Sequence, residues 1–206
     1  MQSISSKPEQ SQRHRYSIHL DTVGGISGDM FVSAFLDLNP GLMLTIKETV
    51  EDLKLGNELR LECIAFSDGI LKGTRFLVDE GVSESSNHTP WKMIRKRLLQ
   101  SGIKQEILEI ALGIFKRLAE AEALVHGIDV EDVVFHEVGA LDSMVDVLAA
   151  SVILEAYPDV KWFLGSLPLG CGEVQTAHGK LSLPAPAVVE LLVGFEFHDD
   201  GESGER

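Results

Sequence analysis

The chain has 206 residues, 44% of them hydrophobic, enough to build one sizeable core. Its 32 acids against 18 bases give a formal net charge of −14, which argues against nucleic acid as a partner, because that binding depends on a basic surface. No run approaches the ~20 apolar residues of a membrane span, and the polar start "MQSISSKPEQSQRHR" lacks the apolar centre of a signal peptide, so a cytoplasmic protein with no membrane partner is expected.

Residues 1 to 15 read as a disordered tail, 16 to 197 as a single α/β domain, and 198 to 206 as a polar tail. "YSIHLD" alternates, with Tyr16, Ile18 and Leu20 on one face, and predicts a strand. After the glycine loop "HLDTVGGISGDM", Met30, Phe31, Ala34, Phe35 and Leu38 predict a helical stripe that stops at Asn39-Pro40-Gly41. Leu42, Ile46, Val50 and Leu53 mark the inner face of a second helix. A β-hairpin is expected at about 57 to 80, turning at Asp68-Gly69, followed by the polar linker "SESSNH". Two helices follow, near Pro90 to Gln100 and Lys104 to His126, the second carrying Ile107, Ile110, Ala111, Ile114, Leu118 and Ala121. "VVF" at 133 to 135 reads as a short strand, "HEVGALD" as a turn, and Asp142 to Tyr157 as a helix apolar almost all round, hence central. "WFLGSLPLGCGEV" reads as a strand with a glycine-rich exit, and "LPAPAVVELLVG" as a short helix. The alternation predicts an α/β fold, with α+β as the variant: a mixed sheet, packed helices and one hairpin.

Three loops hold the residues that chemistry would use. In the first, glycines lead into a helix start, whose free N–H groups and positive dipole end suit a phosphate; Gly25, Ser27, Gly28 and Asp29 are the candidates. Neither a Walker loop nor the dinucleotide fingerprint fits, since Asp29 follows Gly28 and Val23 stands where a glycine is required. On spacing alone the plainer reading stays ahead, in which Gly24 and Gly25 turn the chain and Ser27 or Asp29 caps the helix.

The second is "FHEVGALDSMVD", where His136, Glu137, Asp142 and Asp146 offer one imidazole and three carboxylates, a donor set for zinc, nickel, manganese or iron. Asp142 and Asp146 are four apart and share a helix face. An N-cap would explain Asp142, but not Asp146 between Val145 and Val147. Between Leu118 and Val160 there is no Lys or Arg, so this stretch concentrates divalent cations. The third loop, "LPLGCGEVQTAHGKLSLPAPA", offers Cys171 and His178 on flexible backbone, His178 being the stronger candidate. Two separated cysteines, Cys63 and Cys171, make neither a disulfide framework nor a zinc knuckle.

Taken in order, "GGISGDM", "RLAEAEALVHG", "FHEVGALDSMVDV" and "LPLGCGEVQTAHGKLSLPAPA" resemble the LarC family of nickel insertion proteins, from about Ile18 to Gly194. The resemblance implies an enzyme, a nickel chelatase or cyclometallase-type lyase. It would place Ni²⁺ into pyridinium-3,5-bisthiocarboxylic acid mononucleotide to form the nickel-pincer cofactor of lactate racemase-type enzymes, with CTP and Mg²⁺ or Mn²⁺ as further requirements. On that reading His136, Glu137, Asp142 and Asp146 handle the metal, and Asp142, Asp146 and His178 supply base or ligand roles in undecided order. Gly25, Ser27, Gly28 and Asp29 then contact the phosphate or its associated metal.

This chain departs from the family pattern at "LDTVGGISGDM", where a Cys and a Ser are usual, and at Thr176, where a Cys is usual. The family's C-terminal domain, to which nucleotide binding is assigned, is not expected within these 206 residues. The chain is then a truncated product, one half of a split gene, or a diverged protein, and its partners are the mononucleotide precursor and a separate C-terminal half or a second copy. Two other functions fit the same residues: a nickel-binding and delivery module without chemistry, and a metal-dependent phosphohydrolase.

Overall fold

The helix with the most apolar sequence ends up in the middle. In the computed structural model, which describes residues 16–54, 59–81, 88–135, 141–176 and 179–204, α5 (Leu141–Ala156) packs against α1 (Gly28–Leu38), α2 (Leu42–Asp52) and α4 (Gln105–His126). It buries Met144, Val145, Leu148, Ala149, Ser151, Val152 and Ile153. The Ser151 hydroxyl donates to Val147 O at 2.7 Å, so the one hydroxyl in this row is satisfied within its own helix.

The α2 face is the one its periodicity predicts: Leu42, Ile46 and Val50 are buried, as is Leu53 just beyond the helix. The α1 face is rotated from the predicted stripe. Met30 and Leu38 are exposed, and Val32, Phe35 and Leu36 form the inner row. Aromatic packing sets the rotation: Phe35 lies 5.6 Å from both Trp162 and Tyr157, and Phe31 lies 4.9 Å from Phe35, ring centre to ring centre. With Val32 pointing inward, Gly28, one turn earlier on the same side, also faces α5. In α4 the buried row includes Leu108, Phe115 and Ala119 beside the predicted Ile107, Ala111 and Ala121, because it packs against α3 (Trp91–Leu99), α5 and α6 (Pro186–Leu191) at once. Gly127, with φ of 65°, ends it.

The strands are distributed over five two-stranded pieces among the described residues, so the fold is α/β with mixed pairing but without one continuous sheet. β1 (Tyr16–Leu20) and β6 (Val160–Leu164) are parallel. β2 (Arg60–Ser67) and β3 (Lys72–Asp79) form the predicted hairpin, with Asp68 Oδ1 accepting the Ile70 and Leu71 N–H groups at its turn. β4 (Thr89–Pro90) pairs antiparallel with β5 (Val134–Phe135), and β7 (Leu167–Pro168) parallel with β10 (Phe197–His198). β8 (Glu173–Thr176) and β9 (Gly179–Ser182) are a second antiparallel pair, where the sequence indicated only a glycine-rich exit. Residues read as a polar tail are largely exposed, yet Gly204 N–H reaches back to Cys171 O at 2.9 Å. Among the described residues no helix is long and apolar enough to cross a membrane.

Both strands of the parallel pair release their chain at the same end. Gly165 N–H donates to Leu20 O at 3.0 Å, and buried Thr22 bonds Ser166 O at 3.4 Å, which locks the two exits together. Crevices for ligands in α/β folds form outside the carboxyl ends of parallel strands. Here that end is the start of the glycine loop.

Candidate metal-handling site

The glycine loop is shaped by two turns of backbone. Gly24 and Gly25 adopt φ of 82° and 108°, and Gly25 N–H donates to Thr22 O at 2.9 Å. That bond takes the Gly25 donor away from anion binding. The capping reading fails at Ser27: as N-cap of α1 it makes no side-chain bond to the helix backbone, and its hydroxyl donates instead to Asp29 Oδ1. The first turn of α1 is left exposed, with a serine–carboxylate pair beside it.

Gly28 brings this loop to α5. A β-carbon on residue 28 would lie 2.5 Å from Asp146 Oδ2 and 2.7 Å from its Cβ and Cγ, so only glycine leaves room for that carboxylate. A second consequence follows for Asp146. Its Oδ1 is buried and accepts no hydrogen bond, the one such side-chain atom among the described residues. Burial first, then the negative charge of Asp29, then that of Asp142, push the Asp146 carboxyl up to about 7. A half-buried carboxyl that exchanges its proton near neutrality, with an oxygen left without a partner, is placed to take either a proton or a cation.

Asp142 completes the group one turn earlier. It is exposed in the first turn of α5, and its Oδ1 accepts the Ser143 N–H at 2.6 Å and hydroxyl at 3.3 Å. The Asp142 N–H itself donates to Glu80 Oε1 at 2.9 Å. Glu80 was not picked out by sequence reading. The available signal was its place directly after the β3 strand, a carboxylate followed by Gly81.

The structure therefore brings Gly28, Asp29, Asp142 and Asp146 together, with Ser27 attached through Asp29 and Gly25 behind it in the turn. His136, Glu137 and His178 lie outside the described residues. Among those described, no three His, Cys, Asp or Glu side chains close on one point as a metal-holding set. Cys171 is exposed, and its Sγ donates to Glu202 O at 3.2 Å.

A sequence profile for the nickel insertion protein family matches residues 18–205. The chain belongs to this family. Relatives include proteins named "putative nickel insertion protein" from Geobacter metallireducens, 40% identical over 191 residues, from Citrifermentans bemidjiense, 39% over 189, and from Geotalea uraniireducens, 38% over 192. These alignments cover 91 to 92% of this chain and 48% of each relative, so the chain spans about half the length of the nickel insertion proteins it matches. No solved structure matches it. Asp29, Asp142 and Asp146 are oxygen donors, a class of side chain that binds divalent cations.

Proposed function

We propose that the Asp29–Asp142–Asp146 group receives Ni²⁺ and takes part in its insertion into pyridinium-3,5-bisthiocarboxylic acid mononucleotide, the precursor of the nickel-pincer cofactor. The observation that carries this reading is the buried, unpartnered Oδ1 of Asp146 lying against the glycine loop. Forming the nickel–carbon bond replaces a ring proton, and a carboxyl held near 7 can take that proton at working pH. The exposed start of α1 offers N–H groups to the phosphate of the mononucleotide. Asp29 at that same turn repels the phosphate unless a cation sits between them, which couples substrate binding to metal binding. His136 and Glu137, just ahead of α5 in sequence, are the proposed remaining metal donors, and His178 a second-site ligand or base.

CTP with Mg²⁺ or Mn²⁺ belongs, in this proposal, to the part of the relatives that this chain does not cover. The apolar side chains Val193, Phe195 and Phe197, 74%, 48% and 47% exposed, then form a contact face for that part.

The test is calorimetry with Ni²⁺ and Cu²⁺ on the 206-residue chain. Binding of both is expected, with Cu²⁺ comparable or tighter, as nitrogen and oxygen donors follow the Irving–Williams order. No uptake of either ion overturns the metal reading. Adding the C-terminal half of a relative and CTP in trans is expected to yield cofactor, read as lactate racemase activity. Metal binding without cofactor under any such complementation would reduce the role to nickel delivery, and release of phosphate from simple esters with Mn²⁺ would make it a phosphohydrolase instead.

A further inference from the structure

The hairpin arm β2–β3 is fastened to both helices that carry the site. Toward α1, Phe76 N–H donates to Ser33 Oγ at 2.8 Å and Thr74 Oγ1 donates to Asp37 Oδ1 at 2.6 Å. Toward α5 the bond is that of Glu80, from a residue 62 positions away in sequence, to the first-turn N–H of Asp142. The backbone that presents Glu80 is itself held: Asp79 Oδ1 accepts the Gly81 N–H at 3.0 Å, and Gly81 takes φ of 64°. Asp142 does not compete for this position, because its own Oδ1 is bent onto Ser143. A remote carboxylate thus supplies the acceptor and the negative charge that a local N-cap would supply, at the positive end of α5.

We propose that Glu80 is a positioning residue for the metal-handling carboxylates: by accepting the Asp142 N–H it fixes the first turn of α5, and so the place of Asp142 and Asp146 opposite Gly28 and Asp29. This rests on the reading that Asp142 and Asp146 handle nickel. It makes the hairpin, which contributes no ligand, a clamp between the two helix starts. Residues that orient metal donors from behind typically carry a 10–100-fold share of affinity.

Three variants of the full chain, Glu80→Ala, Glu80→Gln and Glu80→Asp, separate position from charge when Ni²⁺ affinity is measured by calorimetry beside thermal unfolding. Glu80→Gln keeps an oxygen at the same reach and is expected to hold Ni²⁺ within about threefold of wild type, whereas Glu80→Asp draws the acceptor back by one methylene and is expected to lose roughly tenfold. Glu80→Ala is expected to lose about 10–100-fold. Wild-type affinity in Glu80→Ala or Glu80→Asp, with only a lowered melting temperature, would make Glu80 a cap and nothing more. Loss in Glu80→Gln equal to that in Glu80→Ala would make it a ligand and overturn positioning. Asp146→Asn in the same series tells the two failures apart: if it also binds Ni²⁺ normally, the site reading falls and takes this inference with it, and if it does not, only Glu80 is at fault.

Discussion

Two glycine-bearing loop regions carry candidate residues in the sequence, and the structure treats them differently. At the first, Gly28 is closed in by Asp146, a carboxylate oxygen is buried without a partner, and two neighbouring acids raise its proton affinity. At the second, Cys171 is exposed and held by the backbone of Glu202 and Gly204, and Gly172, with φ of 99°, has nothing within 4 Å of where a β-carbon would stand. Glycine is demanded by a neighbour in one place and by backbone conformation in the other. Only the first kind of demand ties its loop to a side chain of another element.

The largest expected effect follows from exchanging the two regions' key side chains. Asp146→Asn is expected to weaken Ni²⁺ binding on the order of 100-fold or more, beyond what outer residues typically cost, while Cys171→Ser stays within about threefold. Calorimetry on the two variants decides this, and a Cys171→Ser loss matching that of Asp146→Asn would erase the contrast.

The glycines sharpen it. Gly28→Ala is expected to force Asp146 aside, costing ~1–3 kcal/mol of stability and about tenfold in metal affinity. Gly172→Ala pays only for a left-handed backbone, about 1 kcal/mol, with metal binding unchanged. Denaturant unfolding and metal titration of the pair give both numbers.

The smallest effect is in pH. The Asp146 carboxyl is held at about 7 when folded, against its ordinary value of about 4, so its contribution favours the fold in acid and is lost as pH rises between about 4 and 7. Its partial exposure to water screens the effect. The melting temperature of Asp146→Asn should therefore rise relative to wild type by roughly 2–4 °C between pH 4.5 and 8. Parallel curves would mean Asp146 is ionised throughout. Nickel binding runs the other way: it requires the carboxylate, so wild-type affinity should fall as pH drops below about 7.

How much of this could be read from residues alone divides along physical lines. The i,i+4 spacing of Asp142 and Asp146 on an otherwise apolar helix was legible, because a helix places those side chains on one face whatever surrounds it. The α2 face was legible for the same reason. The α1 stripe was not, since Phe35 could turn toward Tyr157 and Trp162 only after residues more than a hundred positions away had folded onto it. Gly28 was read as a phosphate contact, and nothing near it in sequence announces that Asp146 lies where its β-carbon would stand. Glu80 was invisible for a related reason: a single hydrogen bond across 62 residues leaves no periodicity behind.

The pairing of β1 with β6 sets a timetable for the ribosome. Tyr16 meets Val160 and Leu20 meets Leu164, so the earliest strand finds its neighbour only when most of the chain has been made. At ordinary elongation speeds that is a wait of roughly ten to thirty seconds. During it the hairpin and α1 to α4 have local partners, but "YSIHL" has none, and the glycine loop behind it has nothing to brace its exit. β1 therefore docks only after α1 to α5 have been made, and the exit into the glycine loop is braced only then.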